Sequence, residues 1–219
     1  MTALFPRRTN AVARGSLLAL GIVVLGLPLV LMAWVRTPLV TGEGDRIVQP
    51  IPFDHRIHAY ALRIDCEYCH STVATAASAG VPPTTACVGC HNKALLASTT
   101  FAPVRASLSS GKPIVWRRVT ALPDFVFFNH SIHIAKGVGC ETCHGRIDQM
   151  AQVSQATSMS MGWCVGCHRN PAPYLRPRDE ITTMGWRADR TSAEHAAAGE
   201  RFMQEYRVDR KTTCSTCHR

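Results

Sequence analysis

The chain has 219 residues, a formal net charge of +9 and ten cysteines. That length permits one or two domains. All ten cysteines fall in pairs separated by two residues, every pair is followed directly by His, and none is left over, a pattern that excludes a disulfide framework, a zinc site and a thioredoxin-like redox motif.

Residues 1–15 carry Arg7, Arg8 and Arg14 and no acid. Residues 16–35 are free of charge and Arg36 closes the run. Twenty apolar residues rising ~1.5 Å each are enough to cross a bilayer core, and Pro28 is tolerated in such a helix. A cleaved signal peptide is the competing reading. It has a shorter apolar run and a small-residue cleavage site, which is not evident here. The arginines ahead of the helix predict a cytoplasmic N-terminus. The expected location is therefore single-pass in the inner (cytoplasmic) membrane, with the bulk of the chain on the periplasmic or outer side. Residues 36–52 read as a linker leaving the membrane.

The five cysteine runs are Cys66-Glu-Tyr-Cys69-His70, Cys87-Val-Gly-Cys90-His91, Cys140-Glu-Thr-Cys143-His144, Cys164-Val-Gly-Cys167-His168 and Cys214-Ser-Thr-Cys217-His218. This is the attachment signature of c-type haem. Two thiols add across the vinyl groups of one haem, and the following His is held beneath the ring as the proximal iron ligand. The cofactor expected is five covalently bound haem c groups. Roughly 34 residues per haem are too few to wrap each in a side-chain core. The fold expected is a haem-cored multihaem cytochrome c with little regular secondary structure, short helices at the motifs and one N-terminal transmembrane helix. Haem propionates account for the basic balance, since arginine is well suited to pairing carboxylates. Nucleic acid is not an expected partner.

An internal repeat organises the chain. Phe53-Asp-His55-Arg-Ile57-His58 precedes the first motif and Phe128-Asn-His130-Ser-Ile132-His133 the third. The gap from the second His to the first Cys is seven residues in one copy and six in the other. In each copy the first motif begins Cys-Glu and the second reads Cys-Val-Gly-Cys-His. Residues 53–91 and 128–168 are thus two copies of a two-haem module. The connector, 92–127, holds Pro103, Pro113 and Pro123 and a β-prone run, Ile114-Val115-Trp116. It is expected to be extended, with one short hairpin. Residues 169–219 form a C-terminal segment with the fifth motif and a helix over 192–207, and Trp116, Trp163 and Trp186 are expected against porphyrin faces.

The five histidines outside the motifs are His55, His58, His130, His133 and His195. The duplicated four are the expected distal ligands. Three residues apart on a helical turn, one of each pair can turn back to the adjacent haem while the other reaches a second. For the fifth haem the candidates are Met184 and His195. Met159 and Met161 read as haem-edge packing. No catalytic side chain is expected.

The Phe-x-His-x-x-His run before a haem motif resembles class III multihaem cytochromes. That resemblance implies that the nearer histidine, His58 or His133, serves the haem just downstream, and the farther one, His55 or His130, the second haem of the module. The stretches QPIPFDHRIHAYALRIDCEYCH, GKPIVWRRVTALPDFVFFNHSIHIAKGVGCETCHGRIDQM and SMGWCVGCHR resemble the pentahaem (ActA-type) cytochrome subunit of bacterial alternative complex III. It implies electron transfer within a quinol:electron-acceptor oxidoreductase. The partners implied are a membrane quinol-binding subunit, an iron–sulfur subunit, and a monohaem cytochrome c or terminal oxidase as acceptor. Two other functions fit the motifs: a single-helix multihaem quinol dehydrogenase acting alone, and a multihaem reductase with an open haem.

The intact mass of the denatured, matured protein should exceed that of the polypeptide by five haems. A mass accounting for four or fewer would remove one of the attachment sites.

Overall fold

The architecture comes from a computed structural model, which describes residues 7–91, 97–186 and 192–218. Most of the N-terminal arm before the first helix and the opening of the connector lie outside these residues. The chain divides into two units, 1–42 and 43–219.

The first unit is one helix, Arg7–Trp34, with Pro28 inside it. It begins earlier than the charge-free run because Arg8 and Arg14 occupy its first turns, where no apolar solvent is needed. Within Arg8–Trp34 an 18-residue window has a mean hydropathy of 2.6, and the helix is long and apolar enough to cross a membrane. The Arg36 guanidinium donates to the Met32 carbonyl (2.6 Å) and the Thr37 hydroxyl to that of Trp34 (2.7 Å). These side chains satisfy carbonyls that the helix end leaves without partners.

The second unit is built of short helical pieces. Among the described residues there is no strand, and pairing is confined to isolated bridges such as Val126 with His218 and Val138 with Leu175. Each motif winds into a short helix or runs out of one: Cys66–Cys69, Thr84–Val88, Cys140–His144, Met161–Arg169 and Cys214–Cys217. Four-residue turns have too little cooperativity to stand alone, so tertiary contacts must fix them.

The connector differs from its sequence-based reading. Ala102–Ser110 is a helix that buries Val104 and Ser107, with Gly111 as a left-handed cap at φ +67°. Pro103 suggested a break, but it sits in the first turn, where a missing N–H costs nothing. No hairpin forms at Ile114–Trp116. The Gln49 side chain instead pairs with both backbone groups of Arg117, at 2.8 and 2.9 Å, and takes the place of a neighbouring strand.

Ordinary side-chain packing is concentrated late in the chain. Ala172, Leu175, Ile181, Trp186, Ala198 and Tyr206 are buried there. The helix Ser192–Glu205 lies on the turn Ala172–Tyr174. Arg176, 2% exposed, is at the centre. It pairs with Glu141 at 2.8 Å, donates to the Thr183 carbonyl at 2.9 Å and stands over the Trp186 ring at 5.1 Å. Trp186 meets Arg176 and also His195, whose ring stacks on it at 5.7 Å. Glu141 is the second residue of the third motif, so this buried pair fastens that motif to the C-terminal segment.

Gly199 meets the Ala172 carbonyl so closely that a Cβ there would overlap it. Gly199→Ala should push the helix off its turn and cost about 1–3 kcal/mol, read as a lowered denaturation midpoint with all covalent haems retained.

Candidate haem-binding site

The two Phe-x-His-x-Ile-His runs fold with the same side-chain logic on different backbones. The second is an α-helix, His130–Ala135, and the first a π-helix, Arg56–Ala61. A π-turn absorbs one extra residue, which explains the longer gap between His58 and Cys66. In each copy the Phe ring stacks on the second His: Phe53 on His58 at 4.3 Å and 22°, Phe128 on His133 at 4.5 Å and 28°. The same Phe meets the first His edge-on, at 4.9 and 4.7 Å. One aromatic ring therefore holds both imidazoles of a module at a fixed angle. The duplicated Phe marked these positions in the sequence, but a ligand search by residue type passes over it.

Carbonyl oxygens orient the imidazoles. Nδ1 of His58 lies 3.0 Å from the Asp54 carbonyl and Nδ1 of His133 2.7 Å from that of Asn129, the same four-residue step back in both modules. Nδ1 of His70 reaches the Gly80 carbonyl at 2.8 Å, Nδ1 of His130 that of Ala77 at 2.8 Å, and Nδ1 of His218 that of Phe125 at 3.3 Å. A carbonyl can only accept, so Nδ1 carries the proton and Nε2 presents its lone pair. Burial, helped by the charges of His70 and His58, holds His55 down to about 4. Burial, with His130 and His70 adding, does the same to His144, also about 4. His133 is lowered by burial as well. These rings stay neutral at physiological pH, as a metal ligand must.

The histidines meet in pairs. Ring centres are 6.1 Å apart for His58 and His91, 6.4 Å for His130 and His144, and 6.0 Å for His133 and His168. His130 and His144 are parallel within 5°. His55 lies within charge-interaction range of His70. Two metal–imidazole bonds of about 2.0–2.1 Å, each extended by ~1.1 Å from ring nitrogen to ring centre, put the centres ~6.2–6.4 Å apart. The spacing therefore fits one iron between each pair of imidazoles. Among the described residues, the Nδ1 atoms of His55 and His91 are buried and meet no hydrogen-bond partner. A cavity bounded by Thr142, Trp163, Cys167 and Tyr174 opens beside the fourth motif. Among the described residues no three His, Cys, Asp or Glu side chains converge as a metal cluster.

This pairing reverses the one implied by the class III resemblance. The farther histidines, His55 and His130, face the first motif of each module, and the nearer ones, His58 and His133, face the second. The reason is local: the second His points back along its own helical turn onto the Phe ring, away from the cysteines that follow it. The segments of Met184 and His195 have contacts that lead to the third motif. Gly185 donates to Glu141 at 2.6 Å, Cys140 to the Ile181 carbonyl at 3.0 Å, and His195 stacks on Trp186. Met161 is 71% exposed, and Met159 adopts a left-handed φ of +49°.

Residues 126–219 match the sequence profile of the family described as "Cytochrome c7 and related cytochrome c". That stretch contains the third, fourth and fifth motifs together with His130 and His133. Haem-attachment motifs, paired imidazoles and this match are together features of a multihaem c-type cytochrome. The chain is similar to the menaquinone reductase multihaem cytochrome c subunit of Nitratidesulfovibrio vulgaris (strain Hildenborough), 36% identical over 97 residues. The similarity covers 44% of this chain and 45% of that subunit, so the chain spans about half the length of the relative it matches.

The pairing can be tested by background. His133→Ala should remove one low-spin EPR signal when the third attachment site is absent (Cys140→Ala with Cys143→Ala). It should change nothing when the fourth is absent (Cys164→Ala with Cys167→Ala). The opposite pattern would restore the reversed pairing.

Proposed function

We propose that the chain is the electron-transfer subunit of a membrane quinol:electron-acceptor oxidoreductase of the alternative complex III kind, carrying five haems and no catalytic side chain. The observation that carries this reading is the pairing of imidazoles at iron-spanning distance. It supplies distal ligands His55, His58, His130 and His133 to the haems held by His70, His91, His144 and His168. A site closed on both faces favours passage of electrons over binding of a substrate. Bound haem supplies one-electron chemistry, and the chain's residues attach it, ligate it and set its surroundings.

The Arg8–Trp34 helix supports a membrane anchor, and the arginines at its start support an outward-facing haem domain. The reading includes a quinol-binding membrane subunit and an iron–sulfur subunit as partners, with a monohaem cytochrome c or oxidase as acceptor. A second reading is favoured by the relative named as a menaquinone reductase subunit: the same subunit would deliver electrons to a quinone instead of receiving them from a quinol.

Purification of the tagged chain in mild detergent should bring down a quinone-binding membrane protein and an iron–sulfur protein. The assembly should reduce added cytochrome c with a quinol, and the isolated chain should not. Net quinone reduction by the assembly would select the second reading. Quinol oxidation by the chain alone, or one carbon monoxide bound per reduced chain, would overturn the proposal.

A further inference from the structure

The spatial order of the attachment motifs can be read from contacts within the second unit. The first and second motifs adjoin: Cys69 lies within charge-interaction range of Cys87 and Cys90. The third and fourth adjoin in the same way, Cys143 with Cys167 and Cys164. These are the contacts within each module.

The contact between modules does not follow the sequence. The side chains of Cys66 and Cys140, from the first and third motifs, are close neighbours. Residues 181–182 clamp the same junction, since Thr182 donates to Asp65 beside Cys66 at 2.6 Å and the Ile181 carbonyl accepts from the Cys140 N–H at 3.0 Å. The loop 76–80 serves both sides. Its Gly80 carbonyl orients His70, and its Ala77 carbonyl takes both the N–H and Nδ1 of His130. His144 in turn lies within charge-interaction range of His70. The second motif faces the connector instead, with His91 against Phe101 at 4.9 Å and the Thr84–Val88 helix on Ala102–Ser110.

The fifth motif attaches to the fourth. Cys164 lies within charge-interaction range of Cys217. Phe127 donates to the Cys217 carbonyl at 2.8 Å, next to the Phe128 that stacks on His133, and Arg210 donates to the Arg169 carbonyl at 3.1 Å. Of the ten cysteines, Cys90 and Cys214 are exposed and the other eight are partly buried. Those two belong to the second and fifth motifs.

We propose that the motifs stand in single file in the order second, first, third, fourth, fifth, with the second and fifth as its two ends. The two modules meet head to head at Cys66 and Cys140, so the second motif is a terminus and not a bridge between modules. The order rests on the haem-binding reading above.

The test uses the purified full chain in two variants, Cys87→Ala with Cys90→Ala and Cys214→Ala with Cys217→Ala. Mass first establishes five haems in the parent and four in each variant, and a lower parent count would overturn the five-haem reading rather than the order. Potentiometric titration followed by EPR should then show the first haem's midpoint shifted in the variant lacking the second, with the third unmoved. Loss of the fifth should shift the fourth alone. In the parent protein, nuclear Overhauser contacts should connect substituents of the first and third haems. A shift of the third haem on loss of the second, or contacts joining second to third, would overturn the order even if a variant fails to mature.

Discussion

Histidine pairs whose ring centres stand 6.0–6.4 Å apart impose the constraint on which the second unit depends. Imidazoles at that distance do not touch one another, and each pair keeps open a gap one metal wide. Neutral rings turned into a protein interior are costly unless something fills the space and accepts the Nε2 lone pairs. The chain meets part of that cost with its own backbone, through the carbonyls of Asp54, Gly80, Ala77, Asn129 and Phe125. The remaining cost falls to the cofactor, which is why so few apolar side chains outside the C-terminal segment are buried.

Duplication simplified the problem. A single Phe per module fixes two imidazoles by stacking on one and meeting the other edge-on, so each copy solves its ligand geometry locally. The one-residue difference between copies is confined to a π-turn and leaves the ring contacts unchanged. Joining the copies needed something new. The loop 76–80 orients a ligand on each side of the junction, and Arg176 with Glu141 ties the third motif to the C-terminal core. A buried ion pair adds little net stability in itself but fixes one arrangement, because removing either partner strands a charge.

Amino-acid order alone pointed to the chemistry of the chain. Five Cys-x-x-Cys-His runs carry the haem-attachment signature without reference to the fold, because each lies within five consecutive residues. The repeated Phe-x-His-x-Ile-His runs marked the four further imidazoles and the two modules, and the uncharged stretch marked the long helix, since composition over twenty residues is a local property. The tertiary structure decided which distant segments meet. It gave His55 and His130 to the first motif of each module and His58 and His133 to the second, because a helical turn aims its side chains in three dimensions that spacing does not encode. It made a helix of Ala102–Ser110, where Pro103 at the start does no harm, and gave the segments of Met184 and His195 contacts that lead to the third motif. It also brought Cys66 against Cys140 across more than seventy residues of chain, a contact set by the junction of two copies, for which no local pattern exists.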